Sequence, residues 1–364
     1  MQDITDYLRQ TVELTGSDLH LSVGAPPCAR VDGRLRPLDE ASLTVATARD
    51  LVLATLSESQ RSRLEEDWEL DYALQVEGLG RFRGNVHYTR QGLEAAFRFI
   101  PRDIPELATL GHSDAIHDIC RLPSGLVLVT GITGSGKSTT LASMVKRIAE
   151  SRSGVIVTIE DPIEFLFEHS RCLIKQREVG STTRDFPIAL RQSLRQDPDV
   201  IVVSELRDLE TIRIAITAAE TGHLVLGTLH TVDAPKTIDR LVDVFPGGQQ
   251  PQIIAQLSNV LEAILSQRLL PRADGEGRIL ASEVLRMNHG IRTCIRDRKT
   301  EQLVGMMEIG SQDGNQTIDE SLTQLWREGQ IDLQEALLHS RDRKLFQSFQ
   351  ETEKRKFGAG RRRA

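Results

Sequence analysis

The chain has 364 residues, 39% of them hydrophobic and 27% charged, with a net charge of −7. That length predicts two or three domains with ample core, and the acidic balance and 4% aromatic content disfavour a nucleic-acid binder or a base-stacking platform. No apolar run approaches the ~20 residues of a membrane span. The start, Met1-Gln2-Asp3-Ile4, has no leader character, and Cys28, Cys120, Cys172 and Cys294 form no CxxC pair. Export, a zinc ribbon and dithiol redox chemistry are therefore disfavoured, and a cytoplasmic protein with reduced thiols is expected.

Residues 1–100 read as a small α+β domain. Thr5–Thr15 predicts a helix, and Leu19–Val23 alternates like a half-buried strand. Pro26-Pro27 and Asp32-Gly33 carry turn chemistry, and Leu43–Trp68 reads as two helices broken near Ser57. Arg81–Tyr88 alternates again, with Ala95–Ile100 as a partner strand. Arg81 and Arg83 share one strand face and could clamp a phosphate together, although an exposed basic face is the plainer reading. Residues 101–112, with Pro101 and Pro105 around a short polar stretch, read as a stiff linker.

Residues 113–350 follow an α/β pattern. Four apolar runs, Leu126–Val129, Val155–Ile159, Val200–Val203 and Leu224–Leu229, suit parallel strands buried on both faces. Each run ends in polar residues, and the carboxyl ends of such strands are where open α/β sheets bind ligands. From Pro251 the sequence reads as helical, with Ile253, Ile254, Leu257, Val260, Leu261, Ile264 and Leu265 on one stripe. Ile279–Leu285 suggests a strand, and Asn315–Trp326 and Leu333–Leu338 a helical closing unit. Residues 351–364 form a basic tail. The last eleven residues carry six cations and no acid, which leaves −13 on the remainder. A disordered, solvated end is expected there, with anionic lipid or an acidic partner as the alternative.

The first apolar run opens directly into Gly131-Ile132-Thr133-Gly134-Ser135-Gly136-Lys137-Ser138, a complete P-loop. Glycines let the backbone N–H groups turn toward phosphate, and a helix starting at about Lys137 adds its positive end. Gly131, Thr133, Gly134, Ser135, Gly136, Lys137, Ser138 and Thr139 are the expected phosphate-binding set for ATP. Lys137 would reach the outer phosphates and the Ser138 hydroxyl would ligate Mg²⁺. Glu205 ends the third run at the Walker B position and would hold the metal or its waters. Asp199, at the other end of that strand, is misplaced for the role. Glu164, past the second run and aimed by Pro162, is the expected general base. His230, at the carboxyl end of the fourth run, could sense the γ-phosphate, whereas His223 at its start is expected to shape a contact between elements.

The run Ile159-Glu160-Asp161-Pro162-Ile163-Glu164-Phe165 resembles the Asp box of secretion and type IV pilus ATPases, and Thr221–His230 resembles their His box. Ser17–Ser22, Arg30-Val31-Asp32-Gly33 and Gly290–Arg296 are similar to segments of the retraction branch, the twitching motility ATPases. This resemblance spans about Ile4 to Phe346. It implies a RecA-like P-loop ATPase domain with a smaller PAS-like N-terminal domain, and a homo-hexameric ring with ATP between the domains. Arg81, Arg83 and Arg98 stand where the family's N-domain arginines complete the site. The implied function is a Mg-ATP-driven motor for pilus retraction at the cytoplasmic face of the inner membrane. It would act on a membrane platform protein with peripheral membrane association only, and without nucleic acid. Partnership with a paralogous ATPase, as an accessory motor, is the alternative; a RecA-like nucleic-acid translocase is the reading from another class. Ser204 stands where the family usually has glycine; its hydroxyl is expected to bond Glu205 or a metal water, with crowding of the metal waters as the alternative. Gly290 and Cys294 also depart from the family motif.

Overall fold

The computed structural model describes residues 3–31, 33–100 and 103–349. The expectations for Asp32, for Pro101 and Arg102, and for the basic tail at 351–364 lie outside the described residues. The chain divides into two compact units. One comprises Met1–Asp103 with Pro162–Leu166; the other comprises Ile104–Asp161 with Phe167–Ala364.

The first unit begins with helix α1 (Ile4–Glu13), closed by a capping box between Asp3 and Asp6. Strands β1 (Asp18–Leu21), β2 (Cys28–Val31) and β3 (Arg34–Pro37) follow, then helices α2 (Val45–Leu53) and α3 (Glu58–Asp67). Thr44 and Ser57 cap those two helices, so the break near Ser57 is a helix start. Strands β4 (Glu69–Val76), β5 (Gly80–Tyr88) and β6 (Leu93–Ile100) complete an antiparallel six-stranded sheet in the order β3-β2-β1-β6-β5-β4. Along β5, Phe82 and Val86 enter a core shared with Leu8, Leu19, Leu21, Val52 and Phe97. The pleat therefore turns Arg81 and Arg83 to the opposite face.

The second unit contains α4 (Ala115–Ile119), β7 (Gly125–Thr130), α5 (Lys137–Ser151), β8 (Gly154–Glu160), β9 (Cys172–Glu178), α6 (Phe186–Ser193), β10 (Val200–Val203), α7 (Leu209–Glu220) and β11 (Leu224–Leu229). These are followed by α8 (Ala234–Asp243), α9 (Gln250–Val260), β12 (Leu261–Pro271), β13 (Arg278–Arg286), α10 (His289–Arg296), α11 (Leu303–Ile309), α12 (Ile318–Arg327) and α13 (Leu333–His339). The seven-stranded sheet runs β13-β12-β7-β11-β10-β8-β9, parallel except for the β12–β13 pair. Alternate strand residues feed two cores. Leu126, Leu128, Ile201, Val203 and Val225 pack with Ile212, Ile216, Ile238 and Leu257. Val127, Val129, Val200, Val202 and Leu226 pack with Met144, Val145 and Ile148 of α5. Helices thus cover both faces, which is why the strands read as unbroken apolar runs.

The helical stripe expected through Leu265 ends at Val260. Leu261, Ile264 and Leu265 belong instead to β12, whose residues divide between the two cores. A strand buried on both sides has no polar alternation, so periodicity alone does not separate it from a buried helix.

Candidate functional site

β7 pairs with β11 through Thr130 opposite Leu229, and Val203 of β10 lies opposite Gly227 of β11 and Ile159 of β8. This register sets three strand ends side by side: the P-loop after β7, His230 after β11 and Glu205 after β10. The loop passes into α5 at Gly136, whose φ of +88° lies in the left-handed region that glycine tolerates. Among the described residues no side chain caps α5, so its first-turn N–H groups are available to a ligand. Thr133, Gly134 and Ser138 are exposed, and Thr139 is half-buried.

Lys137 is only 8% exposed. Its Nζ donates to the carbonyls of Gly131 at 2.8 Å and Ile132 at 3.0 Å, and lies 3.5 Å from His230 Nδ1. The other ring nitrogen of His230 is 3.1 Å from Glu205 Oε1. Lys137, His230 and Glu205 therefore form one connected row across three strand ends. Glu205 Oε1 also accepts from Arg207 Nε at 2.6 Å. Burial pushes the Glu205 carboxyl up, but the hydrogen bond and charge of Arg207, joined by His230, hold it below the usual carboxylate range. The hydrogen bond to Glu205 in turn raises the Arg207 guanidinium. An ionised carboxylate beside the loop that presents the Ser138 hydroxyl offers oxygen donors of the kind Mg²⁺ takes.

Asp199 accepts the Val155 N–H at 2.7 Å and stitches the start of β8, away from these strand ends. His223 is tied locally, with Nδ1 2.9 Å from the Ala218 carbonyl. The Ser204 hydroxyl does not bond Glu205 and makes no hydrogen bond among the described residues. Its backbone N–H bonds the Ile159 carbonyl at 2.9 Å, and its carbonyl accepts the Thr228 hydroxyl. Glu205 is instead held by Arg207 and His230. Glu164 is exposed and lies in the short segment that groups with the first unit. In that unit, Arg83 stands directly opposite Arg98 across β5 and β6, with Arg81 two residues along on the same face. Arg98 Nε donates to Asp18 at 2.8 Å, while Arg83 is 3.9 Å from Asp71.

Arg207 escaped the sequence reading, although a cation two residues past the Walker B carboxylate was visible there. So did Glu283, a lone carboxylate inside the apolar run of β13. Only 1% exposed, Glu283 accepts the Ala234 N–H at the start of α8 at 2.8 Å and faces Arg341 at 3.3 Å. Burial pushes its carboxyl up despite Arg341. It fastens the helix that follows the His230 loop.

Residues 1–276 match the model of the type II/IV secretion system protein family. The type IV pilus retraction ATPase PilT of Pseudomonas aeruginosa is 44% identical over 334 residues, covering 92% of this chain and 97% of the relative. The type IV pilus ATPase PilU of the same organism is 38% identical over 333 residues, covering 92% and 87%. Among solved structures, that of the pilus retraction motor PilT with bound ADP superposes with a TM-score of 0.89 at 47% identity, covering 94% of this chain and 98% of that one. With a matching model over most of its length and relatives aligned nearly end to end, the chain belongs to the type II/IV secretion system protein family.

Proposed function

We propose that this chain is an ATPase motor that powers type IV pilus retraction, working as a homo-hexamer on Mg-ATP. The observation that carries the reading is the row Lys137–His230–Glu205 beside an uncapped helix start. Lys137 and the loop N–H groups bind the phosphates, and Ser138 and Glu205 hold the metal. His230 links the metal-side carboxylate to the phosphate-side lysine, so loss of the γ-phosphate is felt at both. Glu164 serves as general base toward water, and Arg81, Arg83 and Arg98 supply charge to the transferred phosphoryl. No described helix is long and apolar enough to cross a membrane. The motor acts from the cytoplasmic face on an inner-membrane platform protein.

A second reading is an accessory retraction ATPase beside a paralogue; the identity to PilU, 38% over most of both chains, is below the 44% to PilT. Phosphate release from Mg-ATP, measured against protein concentration with parallel light scattering, tests the motor reading. Turnover should rise as rings form, by mass action. Full turnover by a monomer would defeat the ring mechanism, and turnover that appears only with the paralogue added would select the accessory reading.

A further inference from the structure

We propose that Gln267 is a positioning residue that fixes the peptide plane between Ser135 and Gly136, and so aims the Gly136 N–H into the phosphate cradle. The inference rests on the reading that this loop binds ATP. β12 pairs with β7 through Ser266 opposite Thr130, and the Thr130 hydroxyl donates to that of Ser266 at 2.9 Å. One residue further, Gln267 therefore comes level with the first residue of the loop. Its side chain is buried, 1% exposed, and its Nε2 donates to the Ser135 carbonyl at 2.8 Å.

The glutamine touches the loop at both ends as well. A Cβ on Gly131 would stand 2.5 Å from the Gln267 carbonyl oxygen, and one on Gly136 would stand 3.3 Å from Nε2. Gly131 has a φ of +147°, and this close approach leaves no room for a side chain there. In a trans peptide the C=O and the following N–H point in opposite directions. Holding the Ser135 carbonyl toward β12 thus turns the Gly136 N–H away from the sheet, toward the loop interior. Thr140 bonds back to the Gly136 carbonyl, so the Ser135 carbonyl stands just outside the helical ladder of α5. Without the amide, glycine on one side of this peptide would let the plane rotate. Gln267 Oε1 and the Ser135 hydroxyl are both buried without a hydrogen-bond partner among the described residues. Natural cores seldom tolerate such groups, and a site whose geometry must be kept is one place where they do.

The test is calorimetric titration of the full chain with ADP, with thermal unfolding in parallel. Gln267→Met keeps the shape and removes the donor; ADP affinity should weaken about tenfold, and in turnover KM should rise more than kcat falls. Leu270→Ala, at a buried residue of the same strand that packs in a different cluster, should lower Tm with ADP affinity unchanged. ADP affinity of Gln267→Met within about twofold of the unaltered chain would overturn the proposal, given the loss expected for a buried hydrogen bond. Equal weakening in Leu270→Ala would overturn it too, by making the effect one of general stability. Should Gln267→Met fail to fold, Gln267→Asn draws the amide back by one methylene and supports the same comparison. No ADP binding by the unaltered chain would overturn the ATP reading itself.

Discussion

Arg83→Ala separates a phosphate-clamping arginine from a merely exposed one. Arg83 and its acidic neighbour Asp71 are 3.9 Å apart, with side chains 40% and 57% exposed. Such a pair contributes about 0–1 kcal/mol to folding. Arg83 also faces Arg98 directly across the strands, and like charges so placed cost about 0.2–1 kcal/mol. The two terms nearly cancel, so the alanine variant should be as stable as the unaltered chain or a few tenths of a kcal/mol more stable. An arginine that stabilises a transferring phosphoryl group is worth ~10³–10⁵ in rate, or about 4–7 kcal/mol. Turnover should therefore collapse while denaturant unfolding hardly moves. The assay is phosphate release at saturating Mg-ATP, with light scattering to confirm that the variant assembles like the parent. Turnover within about threefold of the parent, with stability lowered by more than about 1 kcal/mol, would refute the clamp and return Arg83 to a structural role.

Glu164→Gln should cut steady turnover by ~10²–10⁴ with ATP binding retained, and near-normal phosphate release would remove Glu164 from the role. Ser204→Gly should leave turnover and Mg²⁺ dependence within about twofold, because the hydroxyl holds neither Glu205 nor a neighbour; a large loss would point to a metal-water contact. Burial pushes the Asp18 carboxyl up, but the Ser17 hydroxyl and Arg98 outweigh it and hold it below the usual range. A folded value below the unfolded one gives stability that is present above the unfolded pKa and lost as pH falls through the folded one. Asp18→Asn should flatten that decline as pH falls through and below the ordinary carboxylate range, and parallel unfolding curves for the two proteins would contradict it.

Much of the candidate site was legible because its pieces are local. The P-loop is contiguous, and Glu205 and His230 each close a strand that the apolar runs mark plainly. What joins them was not legible. The His230–Glu205 contact depends on β10 and β11 being neighbours in a particular register, and nothing in either segment states that. β9 escaped notice because an edge strand such as Cys172–Glu178, with Leu173 and Lys175 exposed, carries no continuous apolar run. β12 was misread for the opposite reason, being apolar on both sides. Gln267 and Glu283 looked like stray polar residues in buried strands. Their meaning lies in the backbone groups they meet, the Ser135 carbonyl and the Ala234 N–H, which come from elsewhere in the chain.

The pairing of β12 with β13 also bears on where this protein can be cut. The match to the family model ends at residue 276, in the turn between those strands, although relatives align well beyond it. A chain ended there would lose β13 and its nine paired positions, from Ala263 opposite Arg286 to Pro271 opposite Arg278. β12, now an apolar sheet border with unpaired amides, would be a template for self-association. Ending after β13 would do less harm but would still strip Gln316, which exchanges backbone bonds with Val284 and blunts that border. The end of the family-model match and the limit of a fragment that keeps its sheet covered therefore fall in different places, and the second lies beyond α13, where Phe346 packs with Leu270, Ile318 and Leu322.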